Sequence, residues 1–183
     1  PDKPGVLAAV TQFLFKNDAF MTEVSSFSAH DTKRFFNRIA FQKSDSSSFN
    51  LVTLENDFLT DLNDFNIDCS FYNAEVPCRT VIAVSKYSHC LNDIIHRWEV
   101  DALPIDIKAI VSNHDDARSF SEWNKIPYHH LPVSAETKKN QEKLFKDVID
   151  DNDAELVILA RYMQILSPEF LDGLTSDCIN IHH

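Results

Sequence analysis

Apolar residues recur along this chain with two different periods, and the order in which the periods change predicts the elements. Residues 3 to 17 carry Val6, Leu7, Val10, Phe13 and Leu14 at i, i+1, i+4, i+7 and i+8, one stripe that predicts an amphipathic helix. Asp2 stands where it can cap that helix, and Pro4 fits its first turn without losing a needed donor. Residues 20–29 and 34–42 read as two strands, joined by a polar turn at His30-Asp31-Thr32-Lys33. In the second strand Phe35, Ile39 and Phe41 share one face, with Phe36, Arg38 and Ala40 on the other. A Ser-rich loop from Lys43 to Asn50 leads to Leu51, Leu54, Phe58, Leu59, Leu62 and Phe65 at helical spacing, and Asn66 to Tyr72 then reads as extended. With one more strand placed ahead of Pro1, the order becomes βαββαβ, an α+β ferredoxin-like unit.

After a short linker with Pro77, the pattern changes. Val81-Ile82-Ala83-Val84 is a continuous apolar run of the kind found in a parallel strand covered on both faces. Helical spacing over 88–99, 117–123 and 135–151 alternates with strand-like runs over 105–111, 128–133, 156–160 and 178–181; a short helix at 168–171 precedes the last of them. Such alternation predicts an α/β domain with a mostly parallel sheet. The expected domains are therefore residues 1–73 and 79–183.

Composition narrows the partners. At 183 residues and 44% hydrophobic, the chain holds one large domain or two small ones, and no run approaches the roughly 18 apolar residues a membrane span needs. No stretch of these 183 residues reads as a basic-then-apolar leader, and a chain opening at Pro1 is not expected to begin at its natural start. A formal net charge of −11 argues against a nucleic-acid surface, though not against small anionic ligands. Cys69, Cys78, Cys90 and Cys178 show no C-x-x-C spacing, so reduced thiols in the cytoplasm are the simplest reading. The eight histidines include the adjacent pairs His129-His130 and His182-His183, which lack the i, i+4 spacing of a helical metal site; no metal is expected.

The chemistry concentrates at the end of the chain. Asn180 and His182, spaced i, i+2, point to one face of an extended segment, where an amide can steady an oxyanion while an imidazole moves a proton. By itself an Asn-x-His is more often a surface loop, and a histidine at a strand end is more often merely structural. His89-Cys90 reads as a reactive pair or as the start of a packed helix. Lys138, Lys139, Lys143 and Lys146 read as a solvated helix face.

A series of segments in fixed order raises the specificity: Val84-Ser85-Lys86-Tyr87-Ser88-His89-Cys90-Leu91, Ser112-Asn113-His114, Pro127-Tyr128-His129-His130-Leu131-Pro132, Ala160-Arg161-Tyr162-Met163-Gln164-Ile165-Leu166 and Asn180-Ile181-His182-His183. Residues 79–183 thereby resemble the catalytic, formyltransferase-like domain of formyltetrahydrofolate deformylases. Residues 1–73 resemble the ACT domain that precedes it in that family, with Asp2-Lys3-Pro4-Gly5-Val6 similar to the turn opening the first ACT helix. The resemblance implies that Asn180 and His182 are two of three catalytic residues, the third being an aspartate past residue 183, so that only the N-terminal part of the catalytic domain and an ACT domain without its first strand are expected here. It implies that the backbone of Arg161, Tyr162, Met163, Gln164, Ile165 and Leu166 grips a folate pterin ring, and that Asp2 and Gly5 border an amino-acid effector site. It also implies homo-oligomers paired through the ACT domain, and no cofactor, since 10-formyltetrahydrofolate is the substrate. The role of His183 stays open.

Glycine usage separates two relatives. Glycinamide ribonucleotide transformylases cradle a phosphate in a glycine-rich loop after the first strand of this domain, where backbone N–H groups must approach an anion closely. Here that loop is Ser85-Lys86-Tyr87-Ser88, and the chain holds only Gly5 and Gly173. The expected activity is thus hydrolysis to formate and tetrahydrofolate, serving one-carbon and purine metabolism. Formyl transfer to an amine acceptor and a non-catalytic, ACT-driven assembly module are the alternatives.

Overall fold

In the computed structural model, residues 3–29, 31–32, 34–45 and 48–181 are described. The chain divides into two units, Pro1–Asn73 and Ala74–His183.

In the first unit, α1 (Val6–Lys16) starts three residues later than its apolar stripe predicts. Its N-cap is Gly5 at φ 90°, a left-handed conformation that a side chain resists, so no side chain caps the helix. Asp2, the expected cap, lies outside the described residues. β1 (Ala19–Ala29) and β2 (Arg34–Lys43) pair antiparallel, with a register shift between Met21 and Glu23. Asp31 and Thr32 form the turn between them; His30 and Lys33 are outside the described residues. α2 (Leu51–Asp61) is capped by the Asn50 side chain, which accepts from the Thr53 N–H, and ends in a 3-10 turn at Asn63–Phe65. Phe13, Leu14, Leu54, Phe58 and Leu62 form a core to which Ile39 and Phe41 of β2 contribute. Aromatic edges hold it together: the Phe13 and Phe58 rings lie 5.2 Å apart, and those of Phe58 and Phe71 5.5 Å.

The ferredoxin-like expectation needs correction here. Among the described residues this unit is α-β-β-α with a two-stranded sheet. Residues 66–72 are extended, and Ile67, Cys69 and Phe71 turn toward the core at period two, yet they join no ladder. A strand is completed by a neighbour's N–H and C=O groups, and no described segment supplies them. Among the described residues the unit therefore stops short of a complete βαββαβ arrangement.

In the second unit, β3 (Cys78–Val84), β4 (Ile105–Ser112), β5 (Tyr128–His130), β6 (Leu156–Ala160) and β7 (Asp177–Ile181) form one sheet in the order β5-β4-β3-β6-β7. Every pairing in it is parallel. The helices between the strands are α3 (His89–Glu99), α4 (Arg118–Trp123), α5 (Lys138–Asp151) and α6 (Pro168–Asp172). Alternation along β3 feeds two cores. Val81 and Ala83 meet Phe145, Val148 and Ile149 of α5 and Phe170 of α6. Ile82 and Val84 meet Leu91, Ile94 and Ile95 of α3. Double coverage is why the Val81–Val84 run contains no polar residue.

Phe145 is fully buried, with ring centroids 5.9 Å from Tyr162 and 5.2 Å from Phe170. Phe145→Ala is expected to destabilise this unit by about 3–5 kcal/mol, the range for emptying a buried aromatic site. Urea denaturation measures it; a loss below about 1 kcal/mol would mean that this face is loosely packed.

Candidate active site

The strand order decides where a ligand can enter. From β3 the chain steps outward to β4 and β5, then α5 returns it to β6 on the other side of β3. The connections reverse between β3 and β6, and open parallel sheets bind ligands beyond the carboxyl ends of their strands at such a reversal. Register aligns those ends. Val84 lies opposite Ser112 and Ala160, and Ala160 opposite Ile181. The next residues along β3, β4 and β6 are Ser85, Asn113 and Arg161.

Arg161 opens the loop after β6 with φ 55°. The other non-glycine residues with positive φ (Asp18, Asn66, Asp101, Lys125 and Asp153) sit just past helices, where a left-handed residue is ordinary. Arg161 follows a strand, and its N–H reaches back to the Leu159 carbonyl at 3.1 Å. Its guanidinium carbon lies 4.5 Å from the centroid of the Tyr87 ring, and its Nε is buried without a hydrogen-bond partner among the described residues. Backbone strain of this kind persists where surrounding contacts over-determine it, and it clusters at functional sites.

Those contacts are explicit. The Met163 N–H donates to Ser85 Oγ at 2.9 Å, and Ser85 Oγ donates to Asn113 Oδ1 at 2.8 Å. From α5, Gln141 Nε2 donates to the buried Tyr162 hydroxyl at 2.9 Å. Glu142, also buried, accepts from the Ser167 N–H at 2.8 Å and the Ser167 hydroxyl at 2.6 Å. Ser167 in turn caps α6 by accepting from the Phe170 N–H at 3.2 Å. Between these ties Met163 and Ile165 are exposed, Ile165 to 87%, while Gln164 is half-buried and Leu166 rests against the core. The result is an apolar ledge on a fixed backbone. Burial, with the Glu142 carboxylate and against the Gln141 hydrogen bond, pushes the Tyr162 phenol from 10.0 up to about 12. Tyr162 thus anchors the loop from below, and only the backbone and its neighbours face outward.

Asn180 lies on β7 opposite Leu159, one row inside the loop, and is exposed. Leu159 packs on the core beneath α5, so Asn180 shares the sheet face of α5 and the 161–167 loop. His182 and His183 lie outside the described residues. Gly5 belongs to the other unit, as the N-cap described above. Sequence reading missed Ser85, Asn113, Gln141 and Glu142 as loop ties. The available signal was two polar residues, Gln141 and Glu142, in line with the inward-facing Phe145, Val148 and Ile149. A cleft of about 480 Å³ lined by Arg79, Asp150, Asp153, Glu155 and Asp177 lies at the amino ends of β3, β6 and β7, away from this edge.

Comparison with known proteins agrees with this geometry. A family model described as formyl transferase matches residues 78–183, the whole of the parallel sheet. The chain belongs to the formyl transferase family. Within this family it is 37% identical over all 183 residues to a formyltetrahydrofolate deformylase from Corynebacterium sp. (strain P-1), and it spans 64% of that protein. The crystal structure of a formyltetrahydrofolate deformylase from Pseudomonas syringae pv. tomato superposes on the entire chain with a TM-score of 0.87 and 36% identity, covering 61% of that protein. A phosphoribosylglycinamide formyltransferase from Coxiella burnetii matches 58% of this chain at 27% identity and a TM-score of 0.52, covering 51% of that protein. The resemblance to deformylases thus includes residues 1–73, which the formyl transferase family model leaves unmatched.

The raised Tyr162 pKa sets a pH dependence. A phenol that holds its proton more tightly when folded contributes stability that is whole below pH 10.0 and is lost as pH rises toward about 12. Denaturation midpoints of the wild type should fall across that window more steeply than those of Tyr162→Phe; parallel curves would remove Tyr162 from the linkage.

Proposed function

We propose that the full-length protein hydrolyses 10-formyltetrahydrofolate to formate and tetrahydrofolate. The observation that carries this reading is the content of the loop after β3. An acceptor phosphate would need open backbone N–H groups there; the loop instead presents the Tyr87 ring with the Arg161 guanidinium against it. With no acceptor amine held, water is the acceptor. The resemblance to a deformylase over all 183 residues of this chain, against 58% of it for the phosphoribosylglycinamide formyltransferase, supports the same choice.

In this mechanism the 161–166 backbone receives the pterin ring, with Met163 and Ile165 supplying apolar contact. Water attacks the formyl carbon. The Asn180 amide donates to the oxygen as it gains charge, and His182 takes a proton from the attacking water and delivers it to the nitrogen as the C–N bond breaks. The reaction needs no cofactor and no metal. Four free cysteines fit a cytoplasmic setting, and among the described residues no helix is long and apolar enough to cross a membrane.

Residues 1–73 fit a regulatory role: an ACT-like half that pairs between subunits and takes a small amino acid near Asp2 and Gly5. In support, the face of the β1–β2 hairpin turned from its core exposes Phe27 to 66% and Phe36 to 47%, with their rings 6.5 Å apart. Phe20 adds a third exposed ring. An exposed aromatic pair of this kind fits an interaction surface.

Two outcomes are expected. Incubated with 10-formyltetrahydrofolate and no amine, the full-length protein releases formate, and Asn180→Ala and His182→Ala each lower kcat by roughly 10²-fold or more. Wild-type turnover in both variants would remove these residues from the mechanism. Sedimentation of the full-length protein gives an oligomer whose distribution Phe27→Asp with Phe36→Asp shifts toward monomer; a wild-type monomer at micromolar concentration would end the pairing proposal.

A further inference from the structure

We infer that Ser85 is a positioning residue whose hydroxyl locks the folate loop to the central strand; this rests on the reading of residues 161–166 as the ring-binding loop. Ser85 is 4% exposed, and its single oxygen joins three chain segments. It accepts the Met163 N–H, 78 residues away in sequence, and donates to Asn113 Oδ1, 28 residues away. These are the connections leaving β6 and β4, so one hydroxyl ties three strand ends around the reversal point. Its own place is fixed because it directly follows Val84, which is fully buried and laddered on both sides.

The tie acts where the loop stores strain. Arg161 holds φ 55° in a tight turn, and the Ser85 bond lands two residues later. The two α5 ties reach a side chain, Tyr162, and the far end of the loop, Ser167. The Ser85 bond is thus the one that seizes a backbone N–H in the middle of the ledge. Without it, Met163 N–H and Asn113 Oδ1 lose a partner together, and the turn has one restraint fewer to hold it against its strain. The expected consequence is poorer binding of the ring, with the chemistry at Asn180 and His182 left in place.

The test uses the full-length enzyme. Ser85→Ala should raise KM for 10-formyltetrahydrofolate about tenfold while kcat stays within about twofold, the pattern of lost ground-state and transition-state binding alike. Ser85→Thr, which keeps the hydroxyl, should return KM to within about threefold of wild type. Hydrogen exchange at the Met163 amide reads the tie without any substrate: it should be protected in wild type and exchange at least about tenfold faster in Ser85→Ala. An unprotected Met163 amide in wild type overturns the inference, as does Ser85→Ala with wild-type KM in an enzyme that releases formate. If wild type releases no formate, the functional reading fails, and exchange at Met163 still decides whether the tie exists.

Discussion

The parallel ladder from Thr80↔Leu156 to Val84↔Ala160 is the constraint on which the candidate site depends. It joins two strands that the chain reaches by leaving the sheet at β5 and returning through α5, so their carboxyl ends separate two sets of loops that diverge from each other. Backbone hydrogen bonding holds the rows in register, and burial of β3 on both faces forbids a slip. A shift by one residue would exchange the sets facing α5 and α3 and drive Thr80 and Ser85 into new surroundings. With the register fixed, Ser85, Asn113 and Arg161 must stand at one edge, whatever their separation in sequence.

Around that edge the fold spends buried polar groups on a loop. Gln141 and Glu142 lie in the α5 face that otherwise carries Phe145, Val148 and Ile149. Each has its partner, Tyr162 for one and Ser167 for the other, so neither leaves an unsatisfied group in the core. The opposing side is held by Ser85. Rigid support beneath and behind lets Met163 and Ile165 stay exposed without the loop collapsing onto the core. The same rigidity keeps Arg161 in a left-handed conformation that its side chain disfavours. A loop whose shape is imposed in advance loses less entropy when a ligand settles on it.

The first unit shows the opposite situation, a hairpin with one face covered and the other exposed. Its helices cover one face of the β1–β2 hairpin, and its core takes Ile67, Cys69 and Phe71 from an extended segment that is not laddered. Phe20, Phe27 and Phe36 line the uncovered face, where a Glu23–Arg38 ion pair at 2.8 Å supplies the polar relief. An exposed pair of that kind adds little stability, so the aromatic surface remains the dominant feature of this face.

By itself the sequence determined which segments are helices and which are strands in the second unit, because burial on one or two faces writes a period into the residues. Val81–Val84 had to be a doubly covered strand, and Phe145, Val148 and Ile149 had to face inward. The motif series also named the family, which the match over residues 78–183 bears out. Tertiary structure alone decided the rest. Ladder pairing sets whether 66–72 becomes a strand, and pairing is a property of neighbours that no local pattern contains. That Ser85 ties Met163 to Asn113 follows from the reversal of connections between β3 and β6, which brings together residues 78 and 28 positions apart. Periodicity reports the face a residue turns to; the partner it meets there depends on strand order, and strand order is settled only when the sheet assembles.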